Sequence, residues 1–173
     1  MAFKTVQITP TISLDAYADG DVFFNAELPL PARGARLIGG YLIDYDGQLT
    51  ADKLGLLFFG KNENALGAVN ATANITKANF RTNQFQGAVN VADAIAAGDL
   101  LTEIDNRPVI RPFVAYDDTD VDTDLPASLE SRGPVLSSVE TGGKVYVSGL
   151  IHTVSTAPDF ATQAIDLVFY FEY

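Results

Sequence analysis

Residues 4–14, KTVQITPTISL, put Val6, Ile8, Ile12 and Leu14 at every second position of an extended chain. A period of two marks a β-strand with one face buried and the other in water. Pro10 interrupts the run. Proline has no amide hydrogen to donate to a sheet, so its presence predicts an edge strand or a bend. Reading outward, the same pattern returns repeatedly. ADGD (Ala18–Asp21) supplies turn residues, and Val22–Leu28 resumes as a strand. Arg36–Tyr45 (RLIGGYLIDY) is a strand with Gly39-Gly40 at its centre, where a bulge or a close backbone approach is expected. Asp46-Gly47 is a turn signal, and Leu54–Gly60 (LGLLFFG) is the continuous apolar run of a buried strand.

The second half is less regular. Thr76 is placed to cap one short helical turn through Asn79 and Phe80. Asn90–Ala97 (NVADAIAA), followed by Gly98, predicts a two-turn helix bounded by Asn and Gly. Val109–Ala115, Lys144–Thr153 (KVYVSGLIHT) and Ala164–Tyr173 (AIDLVFYFEY) return to strand chemistry, the last rich in aromatic and β-branched residues. Eight or nine short strands without long helical crossovers predict an all-β chain. The expected fold is a single-domain antiparallel β-sandwich or jelly-roll over residues 1–173, with one or two short helices. A Pro- and Asp-rich loop excursion is expected at Asp105–Gly133.

Composition narrows the function classes. The 173 residues are 47% hydrophobic and 19% charged, which fits a folded chain. Cysteine is absent, which removes disulfides, thiolate zinc sites and a cysteine nucleophile. The net charge is −11 and falls mainly on residues 87–173, where four bases meet fourteen acids. Such a surface repels phosphate, so neither nucleic acid nor an anionic membrane is an expected partner. MAFKTVQITP lacks a signal peptide's apolar core, and no run approaches membrane-spanning length. The expectation is a chain made and folded in a cytoplasm.

The most conspicuous candidate for chemistry is Tyr116–Asp124, YDDTDVDTD, with five aspartates in nine residues. Asp118, Asp120, Asp122 and Asp124 alternate as calcium ligands do in an EF-hand. However, Thr123 stands where that loop needs Gly, and Leu129 where it needs Glu. The run reads first as a solvated acidic turn, then as a contact for a partner's basic patch, and third as a calcium site completed by distant oxygens. Catalysis by adjacent, hydrated aspartates is not expected, because a glycosidase needs two carboxyls held apart with one pKa raised.

The single His152 lies late in a strand without a recognisable nucleophile motif, so it reads as structural or surface. Gly34–Gly40 (GARLIGG) lacks the spacing of a phosphate loop and reads as a turn plus a bulge. Arg107 and Arg111 share one face if extended, ready to pair with a nearby Asp or with a partner. Of the seven tyrosines, most are expected in the core. No catalytic residues and no cofactor are assigned.

Several weak motifs in order carry a resemblance. Leu14–Asp21 (LDAYADGD) and then Glu27–Phe59 (ELPLPARGARLIGGYLIDYDGQLTADKLGLLFF) resemble the first half of small β-rich structural proteins of tailed bacteriophages. Asn79–Val91 (NFRTNQFQGAVNV) is similar to the group's central segment, and Lys144–Tyr173 to its ending. Residues Asp93–Gly133 depart from the pattern. The resemblance implies a non-enzymatic virion component, a capsid decoration or cement protein. Its partners would be the major capsid protein or another virion protein, and copies of itself. Two alternatives remain open: a carbohydrate- or receptor-binding fibre head, with calcium in the aspartate loop, and a head–tail adaptor at the virion neck.

Overall fold

The computed structural model describes residues 2–49, 53–91, 109–114, 133–138, 143–152, 158, 160 and 165–173. Among them lie strands β1 (Phe3–Ile8), β2 (Thr11–Ile12), β3 (Val22–Pro29), β4 (Gly34–Asp44) and β5 (Lys53–Phe59). They are followed by helix α1 (Lys77–Thr82) and strands β6 (Phe85–Val91), β7 (Val109–Val114), β8 (Val135–Ser137), β9 (Lys144–His152) and β10 (Ile165–Glu172). Every strand pair is antiparallel. The expected all-β class holds.

The strands form two sheets. The first runs β1-β10-β4-β7, with β8 sharing the β7 edge of β4, and it curls into a half-barrel. The second runs β2-β3-β9-β5-β6. Pro10 explains how one chain segment serves both. Phe3–Ile8 pairs with β10 in the first sheet, and Thr11–Ile12 pairs with β3 in the second. The buried Pro10 sits at the crossing, where a missing N–H costs no ladder bond. Val6 and Ile12 reach the core as their alternation predicts, whereas Leu14 lies beyond β2 and is exposed.

Both sheets turn one face to a shared core that is rich in phenylalanine. Phe58 of β5 and Phe169 of β10 meet across the sheets edge-to-face at 6.2 Å, and Phe113 of β7 tilts against Phe169 at 5.4 Å. Each such ring, fully buried, contributes about 1.5–3 kcal/mol. Each sheet makes room for one of its rings with a glycine directly across the ladder. In the first sheet, Gly40 faces Phe113, and a Cβ on Gly40 would come within 2.5 Å of the ring and 1.9 Å of the Val168 carbonyl oxygen. In the second, Gly149 faces Phe24, whose ring would lie 2.5 Å from an added Cβ. The close approach expected at Gly39-Gly40 is therefore real. The bulge expected there is also present in β4: Gly39 stands opposite Tyr170 and Leu37 opposite Phe171, which leaves Ile38 as the extra residue.

Two hydrogen-bonded seams tie edges together. At one, the side-chain amide of Gln86 in β6 bonds the backbone of Ser137 in β8. The approach needs Gly87, which has a φ of +154° and no Cβ to strike Pro134 at 2.7 Å. At the other, Ala2 and Tyr173 exchange N–H···O bonds of 2.9 and 3.0 Å and extend the β1–β10 ladder by one pair.

Some expectations change. Asn90 and Val91, read as the start of a helix, end strand β6 opposite Gly55 and Leu54; residues 92–97 lie outside the described set. Helix α1 forms where Thr76 was expected to cap it, with Thr76 Oγ1 accepting from the Asn79 N–H at 3.3 Å. Of the expected excursion over 105–133, Val109–Val114 is strand β7; 105–108 and 115–132 lie outside the described residues.

Candidate interaction face

The two sheets treat their outer faces differently. The outer face of the second sheet presents Val22, Leu57, Phe59 and Tyr146. The connection between β5 and β6 covers them with Ala65, Leu66 and, from α1, Phe80. The polar groups under this cover are matched. Asn25 donates to Asn64 Oδ1 at 3.1 Å and to the Gly67 carbonyl at 2.9 Å, while Ser148 donates to Asn25 Oδ1 at 2.6 Å. That face is largely covered, with Phe85 at its β6 edge left 39% exposed.

The outer face of the first sheet has no such cover among the described residues. In β10 the buried set is Ile165, Leu167, Phe169 and Phe171, so Asp166, Val168, Tyr170 and Glu172 point outward. Ladder register places Val168 opposite Tyr41, Asp166 opposite Ile43, and Tyr41 opposite Pro112. The result is an apolar centre of Val168, Tyr41, Tyr170, Ile43 and Pro112, with Ile38 beside it. Tyr170 stands opposite Gly39, which has no side chain, and its ring meets Tyr41 edge-to-face at 5.9 Å and 89°. Phe3, on β1 at the rim, is 68% exposed.

Polar groups bound this centre at both ends. Toward one end, Arg36 and Glu172 form an ion pair at 3.6 Å. Toward the other, the Asp166 carboxylate accepts from Gln7 Nε2, Thr9 Oγ1 and the Tyr45 hydroxyl. That bond to a carboxylate holds the Tyr45 proton and raises its pKa, with burial adding to the effect. An apolar centre inside a polar rim is how a protein docking surface is built. A contiguous exposed apolar patch marks such a site more reliably than scattered hydrophobic residues do.

The residues singled out from sequence fall elsewhere. Asp118, Asp120, Asp122 and Asp124 lie outside the described residues, as does Arg107. Among the described residues, no three His, Cys, Asp or Glu side chains gather as a metal site would require. Of the two readings of Arg111, a pair with a nearby Asp or a contact with a partner, burial removes the second. Arg111 is completely buried, and its Nη1 donates to the Leu49 carbonyl at 3.5 Å. The same connection between β4 and β5 is organised by the buried Asp44, which accepts from the N–H groups of Asp46, Gly47 and Leu49. Burial raises the Asp44 pKa against those bonds. His152 is exposed at the end of β9 and pairs with Asp19. GARLIGG opens β4, with no helix following it.

The tyrosines are the main correction. Tyr17 and Tyr146 are buried, but Tyr41, Tyr45, Tyr170 and Tyr173 are exposed. Tyr116 is outside the described residues. The signal was present in AIDLVFYFEY, where Phe169 and Phe171 occupy one parity of the strand and Tyr170 the other. A ring with a hydroxyl suits the wet side of a strand, and one without suits the core.

No helix among the described residues is long and apolar enough to cross a membrane. Compared with known proteins, the chain matches no family model, no characterised protein and no solved structure.

Proposed function

We propose that this chain is a non-enzymatic structural protein of a phage virion, one that docks on an assembled capsid shell and stabilises it as a decoration or cement protein. The observation that carries the reading is the outer face of the first sheet, which no other described residues cover. There Tyr41 and Tyr170 crown an apolar centre, while Val22, Leu57, Phe59 and Tyr146 on the second sheet's outer face are covered by the connection between β5 and β6. A one-sided β-layer of this kind suits a protein that lies on a larger surface. The partner is the major capsid protein or another virion protein. In this reading the two sheets form a β-sandwich whose covered side faces away from the shell.

The test is co-sedimentation with expanded capsids. Wild-type protein is expected to pellet with the shell. Tyr41→Ala with Tyr170→Ala is expected to stay in the supernatant with its fold intact, because both rings stand on the surface. Absence of wild-type binding to any matching shell overturns the proposal.

The exposed tyrosines also favour a second reading, a carbohydrate- or receptor-binding fibre head. Tyr41 and Tyr170 stand perpendicular, so they offer no common plane for a sugar ring to stack on. Glycan-array binding that is lost in Tyr41→Ala, without shell binding, selects this second reading.

A further inference from the structure

We propose that a second copy of this chain pairs antiparallel with the free edge of β1, about a two-fold axis through Thr5, and joins the two half-barrel sheets into one. The reciprocal bonds between Ala2 and Tyr173 make that pair a hydrogen-bonded one. By antiparallel alternation, Lys4, Val6 and Ile8 also direct their N–H and C=O groups to β10. Phe3, Thr5 and Gln7 therefore direct theirs outward, and no strand among the described residues receives them. Such a row of unpaired donors and acceptors is a template for another strand.

Charge identifies the occupant as a copy of this chain. The net charge is −11, so most surface patches repel their own copies, yet residues 1–14 contain no acid and a single base, Lys4. This edge is where two such acidic molecules approach with least repulsion. A two-fold axis at Thr5 sets Phe3 opposite Gln7 of the copy, Thr5 opposite itself, and Lys4 opposite Val6. No charged residue then faces a like charge across the ladder. The 68%-exposed Phe3 gains cover from the neighbouring strand. Because Phe3, Thr5 and Gln7 lie on the outward parity of β1, the two outer faces merge into one continuous surface. The pairing itself does not depend on what that surface docks to.

Sedimentation equilibrium across a dilution series tests the pairing. Wild-type protein is expected to dimerise, and more tightly as salt rises from about 0.01 M to about 0.15 M, where screening shortens from about 30 Å to about 8 Å. Thr5→Pro removes an outward N–H that β10 does not use. It is expected to weaken the dimer about tenfold or more with circular dichroism unchanged. Thr5→Asp and Thr5→Lys each place a charge against its own copy, so each alone is expected to be monomeric, and an equimolar mixture is expected to form a heterodimer. A wild-type chain that is monomeric at every concentration overturns the inference. So does a Thr5→Pro dimer as tight as wild type, or an Asp/Lys mixture that stays monomeric. Shell binding is a separate readout: a β1 dimer that binds no shell keeps this inference and removes the functional proposal.

Discussion

Gln86 and Ser137 bind each other as two strands do. The Gln86 side-chain Nε2 donates to the Ser137 carbonyl at 2.7 Å, and its Oε1 accepts the Ser137 N–H at 2.9 Å. One side-chain amide thus substitutes for a peptide unit and joins the edge of the second sheet to the edge of the first. Gln86→Ala is expected to cost about 1 kcal/mol in urea denaturation, the net worth of such bonds at an exposed site. Amide hydrogen exchange at Ser137 should accelerate more than at Leu136. Equal protection in both proteins would show that the seam holds without Gln86.

The paired glycines predict a larger loss. Gly40→Ala drives a methyl into the Val168 carbonyl and the Phe113 ring, and Gly149→Ala drives one into Phe24. Each is expected to lower stability by about 3 kcal/mol, at the upper end of overpacking costs. Gly20→Ala, with nothing within 4 Å of the added methyl, separates crowding from backbone strain. Its φ of +81° makes it costly for a different reason. Enlarging Gly149 while reducing Phe24 to Leu should recover part of the loss, whereas the Gly20 variant should gain nothing from Phe24→Leu.

Tyr17 predicts an alkaline transition. Its hydroxyl donates to the Phe23 carbonyl at 2.9 Å and accepts the Ser13 N–H at 2.6 Å, and burial pushes its pKa up from 10.0 to about 12. The folded pKa is raised, so the contribution is fully present below pH 10 and is lost as pH rises toward 12. The loss is about 1.4 kcal/mol per pH unit within that window. Denaturation of wild type and Tyr17→Phe should therefore converge between those values. Parallel curves would exclude Tyr17 as the source.

Asp44 predicts the opposite end of the pH scale. Its pKa is raised above 3.8 by burial, so folding takes up a proton there. Its contribution is greatest below the unfolded value and shrinks as pH rises through the folded one. The stability difference between wild type and Asp44→Asn should thus be larger at about pH 3 than at about pH 7. A difference that grows with pH would mean the three N–H bonds outweigh burial.

The aspartate run makes a simpler prediction. If Asp118, Asp120, Asp122 and Asp124 are solvated, neither calcium nor EDTA changes the melting temperature, because a ligand that binds only the folded state must raise it. Replacing all four with asparagine should then leave both folding and shell binding unchanged. A calcium-dependent rise in melting temperature that this variant lacks would place the ion there.

Much of the fold was legible because its signals are local. Alternation in Lys4–Leu14 and Ala164–Tyr173, the apolar run at Leu54–Gly60 and the glycine pair at Gly39-Gly40 all mark strands or a close approach. Strands β6 and β8 escaped for physical reasons. FQGAVNV has no clean alternation, and its end runs into NVADAIAA, whose alanines favour helix. VLS is too short to show a period. Gln86 gives no sign in sequence of pairing with a backbone fifty-one positions away. The exposed tyrosine face was legible only in part. The separation of Phe169 and Phe171 from Tyr170 in AIDLVFYFEY was visible, but which outer face the described residues cover depends on the connection between β5 and β6. The complete burial of Arg111 gave no sign in sequence, because it depends on β7 pairing with β4 opposite the inward-facing Leu42.

The clasp between Ala2 and Tyr173 makes the point at which this fold is cut almost a matter of convention. The two residues are neighbours in one ladder, so a short linker joining them would follow the path of a hairpin. The chain could then be opened instead at an exposed turn such as Asn62–Glu63. A circular permutant built this way keeps every strand pairing described, and it replaces the two clasped ends beside β1 with a closed loop. It also means that anything fused at either end leaves from the same corner of the first sheet, next to Phe3. A tag placed there is not a neutral addition.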